Sequence, residues 1–175
     1  MFKYIFINIL CVLFSLTLFA QANLNQLTEA ELADHLINQT CGIDTENALK
    51  TKLSAKKIQA VEPLLIKVYE DGPSKAEMGA FEKNSKQRYD MIQRTLKSGR
   101  SYGLAKEDLD FARKQSWEDF YALEKEKFVY NSRSQALTAL ARTRGEQGMK
   151  TLNKAAQSKS DLQKSAKAAL KLIEN

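Results

Sequence analysis

Apolar residues recur at intervals of three and four along most of the chain, which is the spacing of one face of an α-helix. The stripe is clearest between residues 74 and 98, where it contains Met78, Phe81, Ser85, Tyr89, Ile92 and Leu96. No stretch shows the strict two-residue alternation of a half-buried strand. The pattern therefore predicts an all-α protein, an irregular bundle of about five to seven amphipathic helices.

Residues with N-capping side chains predict where several of these helices begin. Thr28 followed by Glu31 has the spacing of a capping box, in which two side chains satisfy backbone amides at a helix N-terminus. Ser74 and Glu77 repeat the same spacing. The hydroxyl of Ser116 is a further candidate cap, and it would restart a long helix at that point.

Glycine and proline predict where helices stop. Gly72 and Pro73 should end one helix and prevent its continuation. Pro63 lies inside an apolar helical pattern, so it should kink that helix or split it in two. The later helices are predicted over residues of about 104–133, 134–154 and 160–174. Gly145 and Gly148 weaken the second of these.

The segment 44–98 combines a proline-interrupted helix, a Gly-Pro turn and a second amphipathic helix. Because Pro63 is followed by Leu64 and Leu65, this arrangement resembles a HEAT-type helical pair. The resemblance implies that the two helices pack together as a pair. It covers about a third of the chain and carries over no functional residue.

The N-terminal stretch has the layout of a secretory signal peptide. Lys3 precedes an apolar run over residues 4–19, and small residues occupy the −3 and −1 positions of the sequence Ala20-Gln21-Ala22. Polar residues then interrupt the run before it reaches the about 20 apolar residues of a spanning helix. We therefore expect residues 1–22 to be removed after Ala22 and the protein to be periplasmic or secreted. The alternative is an uncleaved N-terminal anchor.

Residues 23–175 are predicted to form a single helical domain, because a chain of this length can bury a core of its own. Cys41 is the one cysteine of this part, so an intrachain disulfide is not expected. Its thiol can be buried, exposed or paired with another chain, and the sequence leaves these alternatives open. His35 is the one histidine, and a helix that ends near Thr40 would not place it on the same face as Cys41. No catalytic, cofactor-binding or metal site is predicted.

Carboxylate pairs are frequent, for example Glu118 with Asp119 and Glu124 with Glu126. A carboxylate-dependent envelope hydrolase could use two such groups as acid and base. Neighbouring basic residues have the spacing of solvated ion pairs on a helix surface, which is the more ordinary interpretation. We therefore expect no enzyme, with the hydrolase as an alternative.

Seven aromatic residues are crowded between residues 102 and 130. Trp117 and Tyr121 lie one helical turn apart, and Phe128 continues their face. Rings at this spacing are expected to form core, while the alternative is a groove that binds a partner. Trp117 and Tyr121 are therefore candidate residues of a partner surface.

Positive charge is concentrated at the C-terminal end. From residue 142 onward there are eight Lys or Arg against three Asp or Glu, whereas residues 23–141 have 18 of each. In the predicted basic amphipathic helix of residues 160–174, Lys164, Lys167 and Lys171 lie off the apolar stripe. These lysines are either solvated or contact an acidic protein or an anionic membrane surface. Nucleic acid is not expected, because arginine is scarce here and no aromatic residue accompanies the lysines.

Together these features predict an exported, non-enzymatic helical protein that acts by binding another macromolecule in the cell envelope. Another envelope protein is the expected partner, and no cofactor is expected. Besides the hydrolase, a periplasmic immunity protein against a delivered toxin is an alternative function.

Overall fold

The computed structural model of the protein describes Leu24 and residues 26–38, 53–98 and 106–174, of which 85% are helical and none is in a strand. Within these ranges the helices are α1 (Glu29–Asn38), α2 (Ala55–Asp71), α3 (Lys75–Lys97), α4 (Lys106–Lys114), α5 (Trp117–Thr143), α6 (Glu146–Gln157) and α7 (Gln163–Glu174). The predicted all-α class with five to seven helices is confirmed. The predicted signal peptide, its predicted cleavage site and Cys41 lie outside the described residues.

The predicted N-terminal caps are confirmed for three helices. At the start of α1, the backbone amide of Thr28 donates to the carboxylate of Glu31 over 2.9 Å, and the amide of Glu31 donates to the Thr28 hydroxyl over 3.3 Å. Ser74 and Glu77 form the same reciprocal pair at the start of α3. The hydroxyl of Ser116 accepts from the backbone amide three residues later over 3.0 Å, which caps α5.

Pro63 lies inside α2. The helix is continuous from Ala55 to Asp71, so the proline does not split it. The end of α2 is set by Gly72, which has φ of +81°, a left-handed conformation that residues with a Cβ rarely adopt. Pro73 follows, and α3 begins two residues later. The predicted Gly-Pro break is therefore confirmed.

The predicted helix boundary near residue 134 was wrong. α5 continues through Ser134 to Thr143 because the buried stripe continues with Leu137 and Leu140, and this packing outweighs the local preference of a serine for a cap. The break lies instead at Arg144, which has φ of +53° and ends α5 in the left-handed conformation. The chain then enters α6, which ends at Gln157.

The described chain forms two compact units. Unit 1 comprises the residues up to Glu70 together with those from Ser134 onward, and unit 2 comprises residues 71–133. Consequently α2 lies almost entirely in unit 1 while α3 lies in unit 2. The resemblance of segment 44–98 to a HEAT-type pair stays a prediction, because its two helices belong to different units and residues 44–52 lie outside the described residues. The single domain over residues 23–175 stays a prediction.

Unit 1 contains the larger apolar core. Its fully buried large side chains are Leu32, Leu36, Val61, Leu65, Leu137, Leu140, Leu152 and Leu162. Small buried residues, among them Ala155, Ala166 and Ala169, lie on α6 and α7, and these two helices pack against each other. Each buried leucine stabilises the fold by about 1.5–3 kcal/mol.

Candidate functional site

Six half-buried aromatic rings of unit 2 contact one another, and we call them the ring cluster. Its members are Phe81, Tyr89, Trp117, Phe120, Tyr121 and Phe128. Phe81 of α3 stacks on Phe128 of α5 with centroids 4.2 Å apart and planes 6° apart. Trp117 stacks on Tyr121 with centroids 5.2 Å apart. Such pairs add about 0.5–1.5 kcal/mol beyond the burial of area, so the cluster stabilises the packing of α3 on α5.

Two hydrogen bonds connect α3 to the backbone around the end of α4. The Tyr89 hydroxyl donates to the carbonyl of Gln115 over 2.9 Å, and the side-chain amide of Gln93 donates to the carbonyl of Ala112 over the same distance. Both acceptors lie just before or within the turn that leads into α5. These bonds therefore fix the approach of the chain to Trp117.

Charged groups surround the ring cluster. The ammonium group of Lys86 lies 5.1 Å from the centroid of the Trp117 ring and 5.2 Å from that of Tyr89, which is cation–π geometry. Burial raises the pKa of the Tyr121 phenol, and the nearby Glu82 carboxylate raises it further. Trp117 is half-buried, and the Lys86 ammonium group of the same unit lies over the face of its ring.

The predicted site residues fall into two groups that belong to different units. Trp117 and Tyr121 are half-buried members of the ring cluster in unit 2. Lys164, Lys167 and Lys171 are exposed on α7 in unit 1.

Unit 2 also exposes four large apolar side chains outside the ring cluster. Their exposed fractions are 65% for Phe111, 61% for Met91, 46% for Leu123 and 37% for Tyr130. Phe111 and Met91 were missed by the sequence analysis as candidate surface residues. The exposure of Met91 could have been predicted from its position, because it lies off the apolar stripe that contains Tyr89 and residues 92 and 96.

Glu62 is a buried carboxylate in unit 1 that the sequence analysis also missed. It is 3% exposed and accepts a hydrogen bond of 2.8 Å from the backbone amide of Gly148. The N-cap residue of α6 is Gly145, which has no side chain to cap the helix. A Cβ atom at residue 145 would overlap the Glu62 carboxylate. Glu62 therefore caps α6 from α2, and its interaction is with the backbone of its own chain.

One carboxylate of each predicted pair forms an ion pair or a cap on a helix surface. Glu124 pairs with Arg88 and, at 3.4 Å, with Lys127. Asp119 accepts a hydrogen bond of 2.7 Å from the Ser116 hydroxyl at the start of α5. These groups stabilise helix ends and surfaces in the ordinary way.

The three lysines of α7 lie opposite its buried face. Ala166 and Ala169 are fully buried, while Lys164, Lys167 and Lys171 are exposed. The predicted amphipathic pattern of this helix is therefore present, with its apolar side in the core of unit 1.

His35 is half-buried on α1, and burial lowers the pKa of its imidazole while the Asp34 carboxylate partly opposes this effect. The described residues contain no group of three or more His, Cys, Asp or Glu able to hold a metal ion. Within the same ranges, no helix combines the length and the apolar character needed to cross a membrane. No protein-family model, no curated protein and no solved structure matches the chain.

Proposed function

We propose that this chain is an exported, non-enzymatic binding protein, and that the exposed apolar residues of unit 2 bind another protein of the cell envelope. The observation that carries the proposal is their distribution. Among the described residues, five large apolar side chains are exposed, and Met91, Phe111, Leu123 and Tyr130, four of the five, belong to unit 2. Aromatic residues and methionine are enriched at protein interfaces, which supports a protein as the partner.

The placement of these residues on the helices adds to this argument. A single exposed leucine is common on protein surfaces. Here Met91 lies on α3, Phe111 on α4 and Leu123 on α5, so a large apolar group is exposed on each of these three helices. Leu123 and Tyr130 are seven residues apart, about two helical turns, and therefore lie on one face of α5.

The envelope as the place of binding rests on the N-terminal sequence. Lys3, the apolar run over residues 4–19 and the small residues Ala20 and Ala22 are the pattern of a signal peptide. N-terminal sequencing of the protein from the producing cells tests this part by itself. We expect the chain to begin at Asn23, and a chain that begins at Met1 would contradict export by cleavage.

Affinity capture from the cell envelope tests the partner. The variant Phe111→Ala with Leu123→Ala removes two exposed groups, and its control is Leu172→Ala, which removes the exposed large apolar group of unit 1. We expect the original chain and the control to retain the same protein, identified by mass spectrometry, and the double variant to lose it. Equal retention by all three chains, or retention of no specific protein, would contradict the proposal.

A further inference from the structure

The exposed side of α6, α7 and the turn between them carries a one-sided positive charge, and we call it the basic face. Its exposed lysines are Lys150, Lys154, Lys159, Lys164, Lys167 and Lys171, and its exposed acids are Glu146, Asp161 and Glu174. Glu146 is paired with Lys150 at 2.8 Å. Lys154, Lys159, Lys164 and Lys167 form no ion pair with any residue that the structure describes. Among the described residues, the face therefore has an excess of cations without ion-pair partners.

The packing of α7 fixes the direction in which these lysines point. Ala166 and Ala169 are fully buried in the core of unit 1, and Leu162, just before the helix, is also fully buried. Lys164 and Lys167 lie on the opposite side and are exposed. Because the apolar stripe of α7 is occupied by its own unit, the helix cannot insert this stripe into a bilayer. What it presents outward is a row of ammonium groups.

We propose that the basic face binds the surface of a membrane that contains anionic phospholipid. All basic residues of this face are lysines. The lysine ammonium group is a compact and strongly hydrated point charge, which suits the diffuse negative potential of an anionic membrane surface. Recognition of individual carboxylates on an acidic protein favours arginine, whose planar group pairs with them through two hydrogen bonds. Clusters of four to eight basic residues on an amphipathic helix are typical of binding to anionic lipid.

One apolar side chain supports a lipid surface over a purely ionic partner. Leu172, in the last turn of α7, is 42% exposed and follows Lys171 directly. An exposed leucine beside lysines can enter the headgroup region while the ammonium groups contact the phosphates. This membrane contact involves residues of unit 1, whereas the binding proposed above involves residues of unit 2.

Cosedimentation with lipid vesicles tests the inference on residues 23–175. Vesicles of equal parts phosphatidylglycerol and phosphatidylcholine are compared with vesicles of phosphatidylcholine alone, each at low and high salt. We expect binding to the anionic vesicles at low salt, weaker binding at high salt because ions screen exposed charges, and none to the zwitterionic vesicles.

Two matched triple variants assign the effect to the face. Lys164→Gln, Lys167→Gln and Lys171→Gln together remove three charges, and the control removes three from exposed lysines of unit 2 (Lys75→Gln, Lys83→Gln and Lys125→Gln). We expect the first variant to lose about 100-fold in partition coefficient, about fivefold per lysine near an anionic surface, and the control to bind like the original chain.

Circular dichroism shows whether each variant is folded, and the single change Lys164→Gln, with an expected loss of about fivefold, replaces the triple if that does not fold. Three results would overturn the inference. They are no binding to anionic vesicles, an equal loss in both triple variants, or capture of an acidic protein through this face by a chain that does not bind vesicles.

Discussion

The carboxylate of Glu62 in α2 accepts a hydrogen bond of 2.8 Å from the backbone amide of Gly148 in α6, 86 residues later in the chain. The first amides of a helix lack partners within the helix, and a side chain at the N-cap position usually supplies one. At α6 that position is Gly145, so the partner comes from another helix. The contact needs glycine, because a Cβ atom at residue 145 or 148 would overlap the carboxylate.

Replacement of Gly145 by alanine should therefore destabilise the protein mainly by displacing Glu62. The φ of Gly145 is −76°, which alanine adopts freely, so backbone strain does not contribute. We expect Glu62→Ala to lower the free energy of unfolding by about 2 kcal/mol, because a cap and a hydrogen bond to a charged group are lost. Gly145→Ala should cost about as much, measured by urea denaturation.

The double variant separates this mechanism from a general intolerance of alanine at residue 145. With Glu62→Ala already present, Gly145→Ala should cost less than about 0.5 kcal/mol, because the atoms it would meet are gone. Strictly additive losses in the double-mutant cycle would show that Glu62 and Gly145 do not interact.

A second prediction concerns the ring cluster, which belongs to unit 2. Phe128→Ala should lower the free energy of unfolding by about 3 kcal/mol, because it removes a half-buried ring stacked on Phe81. Phe111→Ala is the matched control, since the same atoms are removed from a side chain that is 65% exposed. The control should change stability by less than about 0.5 kcal/mol in the same denaturation experiment. Similar losses in the two variants would contradict the assignment of core and surface.

The stability of the protein should depend on pH through His35. Burial lowers the pKa of this imidazole below the ordinary value of 6.5, so the folded chain binds fewer protons than the unfolded chain between the two values. The free energy of unfolding should be highest above pH 6.5 and should fall as pH decreases from there to the folded pKa. The lowered pKa values of Glu29 and Glu31 add a further loss only below about pH 4.5.

Denaturation over this range, with His35→Gln as the non-titrating comparison, measures the effect. His35 is the one histidine of the chain, so the decrease just below pH 6.5 should be absent in the variant. Titration of the imidazole by NMR should give a pKa below 6.5. An unchanged decrease in the variant, or a pKa above this value, would contradict the prediction.

Two glycines of unit 2 should respond in opposite directions to alanine. Gly79 lies inside α3 with open space around the position of a Cβ atom, so Gly79→Ala should stabilise the helix by about 0.5–1 kcal/mol. Gly72 has φ of +81°, so Gly72→Ala should destabilise the protein by about 1–2 kcal/mol. Thermal unfolding of the two variants compares them directly, and a shift of the same sign in both would be inconsistent with these backbone conformations.

Features that depend on neighbouring residues could be predicted from the sequence. The caps at Thr28, Ser74 and Ser116 follow from contacts between residues three positions apart, and all three are present. The boundary expected at Ser134 was wrong, because buried leucines later in α5 decide where that helix ends. The role of Glu62 could not be predicted, since its partner is 86 residues away and becomes a neighbour only in the folded chain.

The exposure of the candidate surface residues could also be predicted only in part. The exposure of Lys164 and Lys167 follows from their positions off the apolar stripe of one helix, and the structure shows them exposed. The exposure of Leu123 depends on which sides of α5 are covered by other helices. A periodic pattern gives the faces of a helix but does not give the number of faces that find a neighbour.

The division of unit 1 between two stretches of chain affects the order of events during synthesis. The core residues of α1 and α2 precede residue 71, and those that complete the core follow residue 133. A growing chain that has reached Arg133 therefore contains all of unit 2 but still lacks the stretch of unit 1 that begins at Ser134. Local contacts form faster than distant ones, so unit 2 can assemble first. Until α6 and α7 have been made, the core that contains Leu32 and Leu65 therefore lacks part of its apolar contacts.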